Sequence, residues 1–276
     1  MPDSATAPHV RLAAAAVIVA AVATTATCAP AVTIDRAAAP AVSGTAPLAL
    51  PAVRPQPPKR PHADARIAAT DAALDALAPT VRRMSHPEAL RTAFQAYYNY
   101  RTANPDAVRK PYLYFVDFGL DNATARGYVF DMELLMVVDG PFTVAHGRGS
   151  SVGRNGVPTT FSNRSGSYQT SLGLYLAEET YTFRGRANGG AYSSVGLRMR
   201  GESGRFNSAA RSRGIVAHGA PYVTPSDAGR SEGCPAMEPS RADRLLPMIA
   251  NGGVVFHYSP HDVNWLTSDP WVRNAD

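Results

Sequence analysis

The chain has 276 residues, 45% of them hydrophobic and 18% charged. That composition belongs to a folded protein with a core and excludes a disordered chain, and the length fits one large domain or two small ones. The formal net charge of +5 comes from arginines scattered along the sequence, with no lysine-rich stripe, so nucleic acid is excluded as a partner and anionic polymers are favoured in general.

In chain order, residues 12–23 read LAAAAVIVAAVA behind Arg11 and run into TTATCA. A short apolar run, a weakly basic flank and small residues afterwards fit a secretory signal peptide, cut after Ala26 or Ala29. The run is short and alanine-rich for a membrane span. Cys28 lacks the aliphatic residue that a lipoprotein signal carries before its cysteine, so lipidation is not favoured. Residues 1–28 are therefore read as the signal peptide. Residues 29–63, rich in alanine and proline with no period of 2 or 3.6, are read as an extended linker. The expectation is an exported protein of the cell envelope or periplasm, with membrane proximity through its N-terminus.

A helical lead-in is expected over 64–110 and a β-rich domain over 111–276. ARIAATDAALDALA at 65–78 has helical spacing. Ser85, Pro87 and Glu88 read as an N-cap, first-turn proline and capping glutamate. The helix they would open places Leu90, Phe94, Tyr97 and Tyr98 on one face and ends at Asn104 and Pro105. YLYFVDF at 112–118, GYVFDM and LLMVVDGPFTVAHG read as strands, with Asp139-Gly140 as a hairpin turn. A strand SYQTSLG is expected inside the polar stretch 155–173. LGLYLAEETYTF, GLRMR and GIVAHGA follow as further strands. SRADRLLPMIA at 240–250 reads as a helix capped by Ser240, and GGVVFHYSP at 252–260 as the last strand. The fold class is mainly β with flanking helices, in a closed or sandwiched sheet.

If the signal is removed, Cys234 is left as a lone thiol, which cannot form an internal disulfide. A buried free cysteine is often a small hydrophobe, but this one sits in GRSEGCPA. Gly233 permits unusual backbone dihedrals and a close approach to a ligand. The N–H groups of Gly233 and Cys234 are placed to form an oxyanion hole. A thiol attacks as thiolate and needs a base, and His218, at the end of the strand IVAHG, can supply an imidazole, although taken alone a strand-end histidine is more often a satisfied structural residue.

The segment from His218 to Ala236 resembles the active-site signature of the YkuD-type murein L,D-transpeptidase catalytic domains: a histidine-glycine step, then serine, one residue, glycine and cysteine. VDFGLDNATARGYVFDM, VAHGRGS, FSNRSGSYQTSLGLY, ARSRGIVAHGAPYV and GGVVFHYSP are similar to the Gram-negative branch of that family, over roughly residues 85–260. The resemblance implies a β-sandwich or barrel-like catalytic domain, with Cys234 as nucleophile, His218 as base and the carbonyl of Gly219 orienting the imidazole. Ser231 and Gly233 would shape the turn and the oxyanion site. It implies peptidoglycan stem peptides as partners and no metal, nucleotide or other cofactor. Arg230, Arg148, His146 and Tyr168 are candidate substrate contacts, the arginines through bidentate bonds to stem carboxylates. His146 is equally read as a strand cap, and Ser162 and Asn163 as further residues of the cleft. His257 and His261 are read as structural. Glu232 stands where much of the wider family has histidine, and is expected to face outward. Three activities stay open: transfer of the acyl group to a diaminopimelate amine, its hydrolysis, or peptidoglycan binding without catalysis. The histidine precedes the cysteine, the reverse of papain-like proteases, and zinc-site spacings are absent from the sequence.

Overall fold

A computed structural model of the protein describes residues 61–273. The predicted signal peptide, and the predicted linker as far as residue 60, lie outside the described residues. Helix α1 spans Pro61–Leu77 and α2 spans Ala89–Ala103. Ser85 does not cap α2: the position before the helix is Glu88, which makes no side-chain cap. Ser85 turns to the buried carboxylate of Asp117 instead, through its N–H (2.7 Å) and its hydroxyl (2.6 Å). A carboxylate without solvent needs donors more than a helix end near water does. On α2, Leu90, Phe94, Tyr97 and Tyr100 are buried, while Tyr98 is half-buried. The buried face also takes in Ala89, Ala93 and Ala96, so it is turned toward Tyr100 and away from Tyr98.

Ten strands follow: β1 (Tyr112–Asp117), β2 (Gly127–Asp131), β3 (Met136–Phe142), β4 (His146–Gly147), β5 (Gly173–Ala187), β6 (Gly190–Gly201), β7 (Val216–Gly219), β8 (Arg230–Ser231), β9 (Ala236–Met237) and β10 (Val254–Tyr258). Helix α3 (Pro239–Ile249) lies between β9 and β10, and α4 (Val263–Ser268) follows. α3 opens with Pro239 at its first position and Glu238 before it, so Ser240 lies inside the helix and is not its cap. Asp139-Gly140 is no hairpin turn. It lies within β3, where Gly140 (φ 138°) passes so near Tyr128 that a Cβ would meet the ring at 2.5 Å. The turn is at 132–135, where Asp131 Oδ1 accepts the N–H groups of Glu133 (3.0 Å) and Leu134 (2.9 Å). The expected strand SYQTSLG is irregular chain up to Leu172.

Eight strands form one sheet in the order β3-β2-β1-β10-β5-β6-β7-β9, and β4 pairs with β8 separately. Side chains of the central strands alternate between two cores, as a period of two requires when both faces are covered. Leu113, Phe115, Leu174, Leu176, Val254 and Phe256 meet α1 and α2. Tyr114, Val116, Tyr175, Ala177 and Val255 meet Ala242, Leu245, Leu246 and Ile249 of α3. The sheet curls until its two ends nearly meet: Ala145, just past β3, bridges Ala236 of β9, its N–H reaching the carbonyl at 2.8 Å. The result is the mainly β, barrel-like architecture with flanking helices read from the sequence. Among the described residues, no helix is long and apolar enough to cross a membrane.

Candidate active site

Strand pairing places the signature. β7 lies between β6 and β9, so His218 stands opposite Gly196 on one side and Ala236 on the other. Cys234 precedes Ala236 by one proline, which brings the thiol and the imidazole to the same end of the same strand pair. Both line one cavity of about 880 Å³.

The turn before Cys234 is held by its own serine. Ser231 Oγ donates to the Cys234 carbonyl (2.6 Å) and accepts from the Gly233 N–H (3.1 Å). The Gly233 N–H, expected in an oxyanion hole, is thus spent within the turn, and the Cys234 N–H is the remaining candidate of that pair. Gly233 has φ 128°, and a Cβ there would meet Ile215 Cδ1 at 2.9 Å and the Gln169 carbonyl at 3.1 Å. Glycine is therefore demanded twice, by dihedral and by space.

His218 is 3% exposed. Its Nδ1 lies 2.9 Å from the Gly219 carbonyl. A carbonyl only accepts, so this contact assigns the proton to Nδ1 and leaves the Nε2 lone pair to the cavity. Burial pushes the imidazole pKa down to about 4, partly offset by that hydrogen bond. Burial likewise pushes the Cys234 thiol up to about 11, against a backbone hydrogen bond from Val216 and the Arg213 cation, which pull it down. At neutral pH a neutral thiol and a neutral imidazole therefore share the cavity. The thiol is turned to the Gly214 carbonyl, 3.8 Å away. Glu232 is exposed, as expected, and lies 3.8 Å from Arg148.

The family model for the L,D-transpeptidase catalytic domain matches residues 82–258, a stretch that contains every residue just described. The chain belongs to the L,D-transpeptidase catalytic domain family. Solved structures similar to it include an L,D-transpeptidase from Mycobacterium smegmatis (15% identity, 54% of this chain and 59% of that one, TM-score 0.33). Others come from Stackebrandtia nassauensis (15%, 63% and 69%, TM-score 0.35) and Mycobacterium tuberculosis (15%, 54% and 58%, TM-score 0.31). The chain spans little more than half the length of the first and third of these. No curated protein matches.

Within this member of the L,D-transpeptidase family, the structure sorts the other candidates. Arg230, Arg148 and Tyr168 line the cavity, with the Arg148 guanidinium 3.7 Å over the Tyr168 ring. His146 is not among the residues that line this cavity. It is fully buried, its Nδ1 accepts from Arg126 Nη2 (2.9 Å), and its Nε2 meets Ser151 Oγ (2.7 Å). Desolvation, then the cations of Arg126 and Arg230, push its pKa down to about 3. Ser162 and Asn163 line a separate cavity of about 380 Å³. His257 is buried, with Nδ1 on the Ser171 carbonyl at 3.0 Å.

Sequence reasoning missed two parts of the wall. Arg213 lines the cavity with its guanidinium fixed by Ser162 O (2.7 Å), Ser171 Oγ (2.5 Å), Ser167 Oγ (3.2 Å) and Gln169 O (2.9 Å). No local pattern marks it, because its acceptors come from a distant irregular loop. The β5–β6 hairpin brings Phe183 and Tyr192 to the cavity. Its signal was present: Asn188 and Gly189, both with positive φ (51° and 78°), form a two-residue turn that joins β5 to β6.

Proposed function

We propose that this protein is an exported cysteine L,D-transpeptidase acting on peptidoglycan stem peptides. The observation that carries the reading is the meeting of His218 and Cys234 at one cavity, with the Gly219 carbonyl holding the imidazole as an Nε2 base. In this reading the Cys234 side chain swings from the Gly214 carbonyl toward His218 Nε2 as substrate enters. His218 takes the thiol proton while the sulfur attacks the carbonyl of the L,D bond after the third stem residue of a donor tetrapeptide. The tetrahedral oxyanion lies against the Cys234 N–H. Collapse breaks the C–N bond, and terminal D-alanine leaves with the proton from His218. The diaminopimelate side-chain amine of a second stem attacks the thioester, passes its proton to His218, and frees the thiol as the new amide forms. A thiol that starts neutral suits this scheme, because it is charged only when the acyl carbon is in place. Arg230 and Arg148 bind donor or acceptor carboxylates at the mouth.

The domain reading goes with it: residues 1–28 as signal peptide, 29–63 as linker, 64–110 as helical lead-in and 111–276 as catalytic domain, although α1 already opens at Pro61 and the family match begins at residue 82. The test is incubation of the full chain with purified muropeptides, read by mass spectrometry beside Cys234→Ala. Dimers joined between diaminopimelate residues, absent from the control, are expected. Tripeptides without dimers would mean that water takes the acyl group, and no change from the control would leave peptidoglycan binding alone.

A further inference from the structure

The thiol chemistry does not explain why an aromatic ring lies flat on the base. Phe183, in β5, stacks on His218 with ring centroids 4.0 Å apart and planes within 15°. The two side chains belong to strands that are not neighbours, since β6 runs between them. What lets them meet is Gly196 of β6, which pairs with Tyr181 of β5 on one side and with His218 of β7 on the other. A Cβ at 196 would meet Tyr181 Cε1 at 2.7 Å and Phe183 Cβ at 2.9 Å. The middle strand thus has no side chain where the ring must cross. Tyr192 backs the same ring at 6.0 Å and Tyr181 at 6.5 Å. Gly185 repeats the device one step on, where a Cβ would meet Tyr192 Cζ at 2.6 Å.

We propose that Phe183 is a positioning residue for His218: its ring fixes the imidazole in the plane set by the Gly219 carbonyl and shields it from water. The β5–β6 hairpin thereby governs the state of the base. This inference rests on the reading of His218 as the base. The geometry fits the role, because Gly219 holds one edge of the imidazole and Phe183 one face, while Nε2 is left to the cavity. On the hairpin strands beside β7 the charged or titratable groups are Tyr175, Glu178, Glu179, Tyr181, Arg184 and Arg186 of β5 and Tyr192, Arg198 and Arg200 of β6, while Arg213 precedes β7 and Glu232 and Cys234 precede β9. On the other face of β7, Arg241 and Arg244 of α3 are taken up by Asp139. The downward shift of His218 is caused by burial rather than by any of these charges, so removing the cover raises its pKa. A cation held over the ring face would act in the opposite direction, and the experiment separates the two.

The experiment is an NMR titration of the histidine Cε1–H resonances in the full chain, with His218 assigned by its loss in His218→Gln. In Phe183→Ala the His218 midpoint is expected to rise by at least about one pH unit toward the ordinary value near 6.5, and in Phe183→Tyr to stay near wild type. Gly196→Ala, which pushes on Phe183 from below, is expected to move it the same way. The rate of Cys234 alkylation by iodoacetamide against pH, read by peptide mapping, is expected to change its profile in Phe183→Ala and recover it in Phe183→Tyr. A folded Phe183→Ala or Gly196→Ala whose midpoint stays within roughly 0.2 unit of wild type, or falls, overturns the proposal. If Phe183→Ala does not fold, Phe183→Leu and Gly196→Ala decide it by the same criterion. None of these readouts uses peptidoglycan, so failure to cross-link muropeptides would strike the transpeptidase reading and leave this result standing.

Discussion

The tetrapeptide Val-Ala-His-Gly occurs twice, at 144–147 and at 216–219, and its two copies do opposite things. Each ends a short stretch of strand, and each histidine is buried and neutral. In the first copy both ring nitrogens are consumed, Nδ1 by Arg126 and Nε2 by Ser151. Arg126, itself fully buried, spends its other donors on the carbonyls of Val144 and Leu120. His146 is thus the acceptor that completes a buried guanidinium site. In the second copy Nδ1 is held by the next residue's carbonyl, and Nε2 is left to the cavity that also holds the thiol. The same four residues make a structural pin or a candidate base according to whether one nitrogen is left over.

The strongest way to break that comparison is on activity. His218→Gln is expected to lower kcat/KM by about 100- to 10,000-fold, the range for loss of a general base. His146→Gln should keep activity per folded molecule within about threefold. Muropeptide kinetics corrected for folded fraction would refute the assignment if the two losses were equal.

The next effect is on stability and runs the other way. His146→Leu leaves one Nη2 hydrogen of the buried Arg126 and the half-buried Ser151 hydroxyl without their partner, while Nη2 keeps the Val144 carbonyl. It is expected to cost about 2–3 kcal/mol in urea unfolding, the upper part of the range for one orphaned buried polar group because the donor is charged. The pH dependence belongs here too. Both histidines bind protons more weakly folded than unfolded, so the unfolded state takes up protons first as pH falls. Stability is full above the ordinary histidine value near 6.5 and is lost as pH falls through it, toward about 4 for His218 and about 3 for His146. A melting temperature that stayed level from pH 7 to 4 would contradict the buried, neutral state of both.

A smaller effect separates the two glycines. At Gly147 a Cβ would meet backbone on every side: the Tyr168 carbonyl (2.3 Å), Gly233 Cα (2.9 Å) and Thr170 N (2.9 Å). At Gly219 the nearest atom is the Ser194 hydroxyl (2.2 Å), which can rotate, before Pro239 Cα (2.9 Å). Gly147→Ala is therefore expected to cost about 1–3 kcal/mol, as overpacking does, and more than Gly219→Ala. Equal denaturant midpoints would show that the chain relaxes at both. The least effect is at Arg148, which follows the first copy and shares an exposed ion pair with Glu232. Arg148→Ala should change stability by less than about 1 kcal/mol, with any loss appearing in KM rather than kcat.

How much of this was legible varies by element. Helix α2 and strands β1 and β10 could be read from the sequence because each carries its own apolar period, and burial on the sheet rewards that period locally. Ser85 misled because a serine followed by glutamate three residues on signals a cap only when nothing better competes for the hydroxyl. Asp117 competes from a strand far along the chain. Asp139-Gly140 misled for a related reason: the glycine answers to the Tyr128 ring, and the aspartate to Arg241 and Arg244 of α3. Of the candidate site, Cys234, His218, Gly219 and Ser231 could be named from one short segment, whereas Phe183 and Arg213 could not.

The sequence by itself determined the family, the mainly β class with its flanking helices, and the segment holding the candidate cysteine and histidine, because those depend on short-range periodicity and on a compact motif. Only the tertiary structure decided which of two identical Val-Ala-His-Gly segments keeps a free nitrogen, where the Gly233 N–H is spent, and that a phenylalanine two strands away lies on the imidazole. The physical reason is that a buried polar group takes its character from whichever partners the fold delivers to it, and those partners come from parts of the chain that no local pattern connects.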